Sequence, residues 1–158
     1  MANPRRRVRQ ARGNPAPNQP APANVPVPGP QYLEKGDHRD GTAIKSQWVI
    51  TFVQEQQAFQ LSRNAGWSPG PRGWGLHLAG AQPQYLGRGA RAQQRHGVDL
   101  FIARFDEGNP NVWHGCPSDP QINNQDVPPD AVLQDWVAQQ YISRPQQRRI
   151  MRCQRCTL

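Results

Sequence analysis

At 158 residues, with 17 Pro, 14 Gly and only 35% hydrophobic residues, the chain is long enough for one domain but too poor in apolar side chains to pack along its whole length. No run approaches the roughly 18 apolar residues of a membrane span, and the Arg-rich start leads into prolines rather than an apolar signal core, so the expectation is a soluble, cytoplasmic or otherwise intracellular protein with no membrane span. The net charge of +8 sits at the ends: five Arg and no acid from Met1 to Pro30, five Arg and no acid from Arg144 to Leu158, and between them 9 Lys and Arg against 11 acids, a net of −2. Segregation of this kind points to a polyanionic partner, RNA or DNA first.

Residues 1–31 carry Arg5, Arg6, Arg7, Arg9 and Arg12 and then an Asn, Pro and Ala tract ending VPVPGP. With almost nothing apolar to bury, this stretch reads as a disordered basic, Pro-rich arm whose arginines meet phosphates without regard to sequence. Residues 32–158 read as a single small domain. In YLEKGDHRDG, His38 stands between Asp37 and Asp40, which suits a general acid but equally a polar turn.

From Ser46 the alternation of Trp48, Ile50 and Phe52 with Val49, Thr51 and Val53 predicts a buried strand. Gln54 to Arg63 then reads as a strand bend or a short helix. GWSPGPRGWG has no period and reads as a loop, in which Trp67 and Trp74 either cap the core or form a stacking platform for a base. Leu76, His77 and Leu78 make a short strand at most. GRGARAQQRHG follows with Arg88, Arg91, Arg95 and His96 and no acid, the composition of a loop that faces nucleic acid or of one that is simply solvated.

Val98 to Cys116 is the centre of the pattern. Val98, Leu100 and Ile102 alternate with Phe101, Ala103 and Phe105, so both faces are apolar, as in a central strand covered on two sides. Asp106 to Asn111 supply turn chemistry, and Val112 and Trp113 begin the return arm of a hairpin. After a long polar connection broken by Pro117, Pro120, Pro128 and Pro129, a helix begins near Pro129 with Val132, Leu133, Trp136, Val137 and Tyr141 on one face. Ser143 and Gln146 have capping-box spacing, with Ile142 as staple, for a second helix from about Arg144 to Arg152. That helix would present Arg144, Arg148, Arg149 and Arg152, either to a nucleic-acid groove or to water.

His114 and Cys116, with Cys153 and Cys156, could supply a Cys3His set for one structural zinc; without it no cofactor is implied. No nucleophile with its base and no nucleotide fingerprint is present. The expected fold is α+β: a small, mainly antiparallel sheet with a C-terminal two-helix hairpin packed on it. The expected function is a non-enzymatic nucleic-acid-binding accessory protein that uses basic termini for phosphate contacts. Two readings compete with it: a small ribonuclease or toxin-like enzyme built on His38, His77, His96 and His114 with Arg72, Arg88 or Arg104, and an adaptor whose Pro-rich arm binds a protein partner.

Overall fold

The structure, a computed structural model, describes residues 29–158. The arginines of the N-terminal arm lie outside the described residues. Within them the order is β1 (Gln31–Tyr32), β2 (Gln47–Trp48), α1 (Phe52–Asn64), β3 (Arg72–Ala79), β4 (Gln82–Gln84), β5 (Gly87–Arg88), β6 (Asp99–Leu100), β7 (Ile102–Asn109), β8 (Val112–Ser118), α2 (Asp130–Ala138) and α3 (Arg144–Met151). A five-stranded sheet has the order β1-β8-β7-β3-β4, and a small three-stranded sheet the order β2-β5-β6. All pairings are antiparallel except β1 with β8. The fold is α+β, and no helix among the described residues is long and apolar enough to cross a membrane.

β7 is the central strand, hydrogen-bonded to β8 on one side and β3 on the other. Its alternating side chains feed two cores. Ala103 and Phe105 join Ala58 and Phe59 of α1, Trp48, Ile50, Leu86 and Trp113. Ile102, on the opposite face, joins Trp74 and Leu76 of β3, Val132, Leu133 and Trp136 of α2, Ile142, Ile150 of α3 and Trp67. On the first face the register sets Gly73 opposite Phe105 and Gly75 opposite Ala103. A Cβ on Gly75 would stand 2.8 Å from the Phe105 ring and 3.1 Å from the carbonyl oxygen of Ala58, so only hydrogen lets α1 lie this close to β3.

Several expectations change in three dimensions. The strand predicted from Ser46 to Val53 is only Gln47–Trp48, because Thr51 and Gln54 form a capping box that starts α1 at Phe52. Gln54 N–H donates to Thr51 Oγ1 at 3.3 Å and Thr51 N–H to Gln54 Oε1 at 2.9 Å, satisfying two helix-end donors. Val49 and Val53, expected inside, are 45% and 60% exposed. Residues 54–63 are helix, and the loop expected over both tryptophans is shorter, since Trp74 lies within the eight-residue β3. The β7–β8 turn narrows to Pro110 and Asn111, with Asp106, Glu107 and Gly108 kept in the strand. Pro117, expected to bar regular structure, stands within β8 as the partner of Ala103, one residue before the strand ends at Ser118. Gln31, assigned to the arm, belongs to β1, where its N–H donates to Asn111 O at 2.7 Å.

The two C-terminal helices start close to their expected bounds, and α3 also stops close to its own, but α2 ends at Ala138 and leaves Tyr141, expected on its face, beyond the helix. Ser143 and Gln146 form the second capping box, with Ser143 N–H donating to Gln146 Oε1 at 2.7 Å. Trp136 is fully buried, its ring edge-on to Trp67 at 5.6 Å, and Trp67 Nε1–H donates to Asp135 Oδ2 at 2.7 Å.

The segment before β2 is held by one buried carboxylate. Glu55 of α1 is 0% exposed, and it accepts from the Tyr32 hydroxyl and from Arg39 Nη2. Burial pushes its carboxyl above the usual range, opposed by the hydrogen bonds from Tyr32 and Arg39 and by the charge of Arg39. Arg39 Nη1 also donates to Ile50 O at 2.7 Å, so one guanidinium joins the turn, α1 and the connection between β2 and α1.

Removing one partner of a buried charge pair strands the other, so Arg39→Ala is expected to cost about 3–5 kcal/mol in urea unfolding. A loss under about 1 kcal/mol would mean that Glu55 is solvated or protonated without it. Trp136→Ala is expected to cost about 3–5 kcal/mol and Arg148→Ala within about 0.5 kcal/mol by the same measurement. Equal losses at the two sites would contradict the packing of α2.

Candidate nucleic-acid interface

The sequence of α3, RPQQRRIM, sets arginines at 144, 148 and 149, and Arg152 is its C-cap. At about 100° per residue these four span an arc of about 140°, and Ile150 lies about opposite its middle. Ile150 is the buried residue of the helix, 2% exposed, so packing it against the core turns the arginines outward. All four are exposed, as is Arg155 beyond the helix. Arg144 to Arg152 covers about 12 Å of axis at about 1.5 Å per residue.

The end of α3 is closed by its backbone. Cys153 has φ +53°, its N–H donates to Ile150 O at 3.0 Å, and Gln154 N–H donates to Arg149 O at 2.9 Å, the paired bonds of a Schellman turn. The tail then folds back along the helix, where Gln146 Nε2 donates to Thr157 O at 2.8 Å and Cys156 and Leu158 pack against the core of α2 and α3. Cationic side chains also suit this end of a helix, whose free carbonyls carry partial negative charge.

What distinguishes α3 is the use made of arginine elsewhere. Arg39 pairs with Glu34 and Glu55, Arg72 and Arg104 with Asp106, Arg104 also with Asp126, Arg88 with Asp99 and Arg95 with Asp119. Arg63 lies over the Trp113 ring at 5.1 Å, and Arg91 donates to the carbonyl of Gly41. None of the five arginines of α3 and its tail has a carboxylate within 4.0 Å among the described residues.

The remaining residues singled out in the sequence fall in different places. Arg5, Arg6, Arg7, Arg9 and Arg12 lie outside the described residues. In the 88–95 loop, Arg95 is clamped by both oxygens of Asp119 at 2.9 Å and by Gln121 at 2.6 Å, so this charge is absorbed by the fold. Trp67 and Trp74 are 2% and 3% exposed, and their rings serve the core rather than offering a face to a base. The zinc set does not assemble: His114 and Cys116 lie on β8 opposite Asp106 and Arg104, while Cys153 forms the helix cap and Cys156 packs on the core. No three His, Cys, Asp or Glu among the described residues gather as a metal site.

The four histidines share no single cleft. The strand registers put His77 on the α1 face of the sheet and His114 on the other, and His96 is exposed in its loop. His38 is 6% exposed, and its Nδ1–H donates to Ser46 O at 2.8 Å, which leaves Nε2 as the unprotonated nitrogen of a neutral ring. The unpaired state of the α3 arginines is what sequence reasoning could not separate from the paired state of the others; contact partners are set by the fold. No protein-family model, curated protein or solved structure matches this chain.

Burial holds the His38 pKa below its ordinary 6.5, with His77 and His114 shifted the same way. The folded protein thus keeps His38 neutral at a pH where the unfolded chain binds a proton. Its contribution is present above about pH 6.5 and is lost as pH falls below it. Thermal melts from pH 7.5 to 5 are expected to show a decline in Tm that is shallower in His38→Gln, and superimposable pH profiles would remove this role.

Proposed function

We propose that this protein is a non-enzymatic nucleic-acid-binding module whose phosphate contacts centre on α3 and its tail. One observation carries the reading: Arg144, Arg148, Arg149, Arg152 and Arg155 are exposed with no carboxylate within 4.0 Å among the described residues, Arg149 donating only to Arg155 O at 3.5 Å, while five of the seven other arginines among the described residues are held by carboxylates. Unpaired positive charge on one rigid face repels itself in the free protein and is relieved by a polyanion. A guanidinium also matches phosphate geometry better than an ammonium does. The five arginines of the arm, Arg5 to Arg12, would add contacts to the same partner. Binding of this type is driven largely by counterion release and falls steeply with salt.

Fluorescence anisotropy with a labelled duplex and a labelled single strand, each at several salt concentrations, tests the reading. Arg148→Gln with Arg149→Gln is expected to weaken binding and to lower the slope of log affinity against log salt by up to about 0.9 per lost contact on duplex DNA and about 0.7 on single strands. Arg88→Gln, whose wild-type charge is already paired with Asp99, is expected to change the slope far less. Absence of salt-dependent binding by the intact protein would overturn the proposal.

A further inference from the structure

A separate cleft of about 190 Å³ lies on the other side of the molecule's polar network, where the β7–β8 face meets the segment around His38 and Lys45 and the loop from Asp119 to Asp126. That is the volume of about six waters. Its floor is Arg104 of β7 and Cys116 of β8, opposite each other in register. Its mouth is flanked by Ile44 and Ile122, two side chains left 68% and 45% exposed.

The hydrogen-bonding groups of this cleft are unbalanced. Its carboxylates are occupied. Asp126 accepts from Arg104 Nη1 at 2.5 Å and from the Asp119 amide at 2.8 Å, and both oxygens of Asp119 accept from Arg95. The donors are not. Arg104 is oriented by Asp106 through Nε and by Asp126 through Nη1, which leaves Nη2 without a hydrogen bond in the described residues. Lys45 Nζ stands 4.0 Å from Asp37 Oδ2 and has no closer carboxylate. Burial pushes the Cys116 thiol up to about 11, so it remains an S–H donor rather than a thiolate.

We propose that this cleft binds a small oxyanion, a phosphate or carboxylate group, held by Lys45 and by the free edge of the Arg104 guanidinium. A concave site with a few convergent polar groups and an apolar rim is the common form of a small-ligand site, and surplus donors select an acceptor-rich ligand. The carboxylates that fix Arg104 from two directions keep its free edge in place before the ligand arrives. Ile44 and Ile122 would contact whatever carbon framework carries the anionic group. The proposal is independent of α3: its donors come from β7 and from the segment before β2.

The same chemistry has two sources, a free small molecule and the phosphate at the end of a nucleic-acid strand. Amide NMR spectra of the full chain, titrated with inorganic phosphate and with acetate against chloride at constant ionic strength, test the site. The amides of Cys116 and Asn123 are expected to shift saturably with phosphate or acetate, and Lys45→Ala, its other amides unmoved, is expected to weaken that curve about tenfold or more. Ile122→Trp, which fills the mouth, is expected to abolish it. If Cys116 and Asn123 do not move, if only residues 144–155 respond, or if the Lys45→Ala curve superimposes on wild type, the proposal fails. A 5′-phosphorylated oligonucleotide that shifts Cys116 and Asn123 where its 5′-hydroxyl counterpart does not would assign the ligand to a strand end. A response to inorganic phosphate or acetate alone would assign it to a free oxyanion. Either result is read independently of α3, since Arg148→Gln with Arg149→Gln leaves the cleft intact.

Discussion

The two-residue period of β7 is the constraint on which the rest of the structure depends. Because successive side chains of a strand point to opposite faces, placing Phe105 and Ala103 against α1 obliges Ile102 and Arg104 to face the other way. Ile102 then meets α2 and α3, and Arg104 enters the polar network with Asp106 and Asp126. A slip of one residue would put Arg104 into the aromatic cluster around Phe59 and expel Phe105 toward Asp126. The glycines opposite these residues enforce the same choice, since Gly73 and Gly75 face α1 and leave no room for a side chain there.

Charge in this molecule is divided by role. The sheet and its loops use arginine as a cross-linker: each guanidinium joins segments distant in the chain, as Arg39 does between the N-terminal turn and α1, and Arg95 between its loop and Asp119. Those at Arg39, Arg95 and Arg104 are one-fifth exposed or little more, where pairing counts for more than it does between fully solvated ions. On α3 the same residue type is used without carboxylate partners among the described residues, because Ile150 is the buried residue of the helix and every arginine falls on the arc away from it. The two uses of arginine are thus distinguished by the acids that pair with them: Asp130 reaches α3 but meets Gln147, and no arginine of α3 has a carboxylate within 4.0 Å among the described residues.

The cleft above Arg104 follows from the same division. The network that neutralises Arg104 also aims it, using two carboxylates to leave one edge of the guanidinium free beside Lys45. The two acids lining the cleft are already committed to Arg95, Arg104 and a backbone amide, which leaves Nε2 of His38 as a free acceptor against the donors of Lys45, Arg104 and Cys116. Placing a thiol with a raised pKa on its floor adds a neutral donor and no competing negative charge.

The sequence by itself determined the elements whose signals are local. The Ser143 and Gln146 capping box with Ile142 before it set the start of α3, and the spacing of Val132, Leu133 and Trp136 set the buried face of α2. The two-sided apolar run marked the central strand from Ile102 onward, but its first part, Asp99–Leu100, is β6 of the small sheet rather than a continuation of β7. It also contained the Thr51 and Gln54 capping box, but the alternation of Trp48 through Val53 pointed to a strand across it. Both patterns are local, and the helix prevails because Glu55, Ala58 and Phe59 find partners on Tyr32, Arg39 and Phe105, residues 16 or more positions distant. Tertiary structure alone decided that Trp67 and Trp74 serve the core, since the helix that covers them begins near residue 130. It also decided that Arg88 and Arg95 are paired while Arg148 and Arg149 are free, because an ion pair depends on distance in space, and the acids that meet those arginines lie 11 and 24 residues away along the chain.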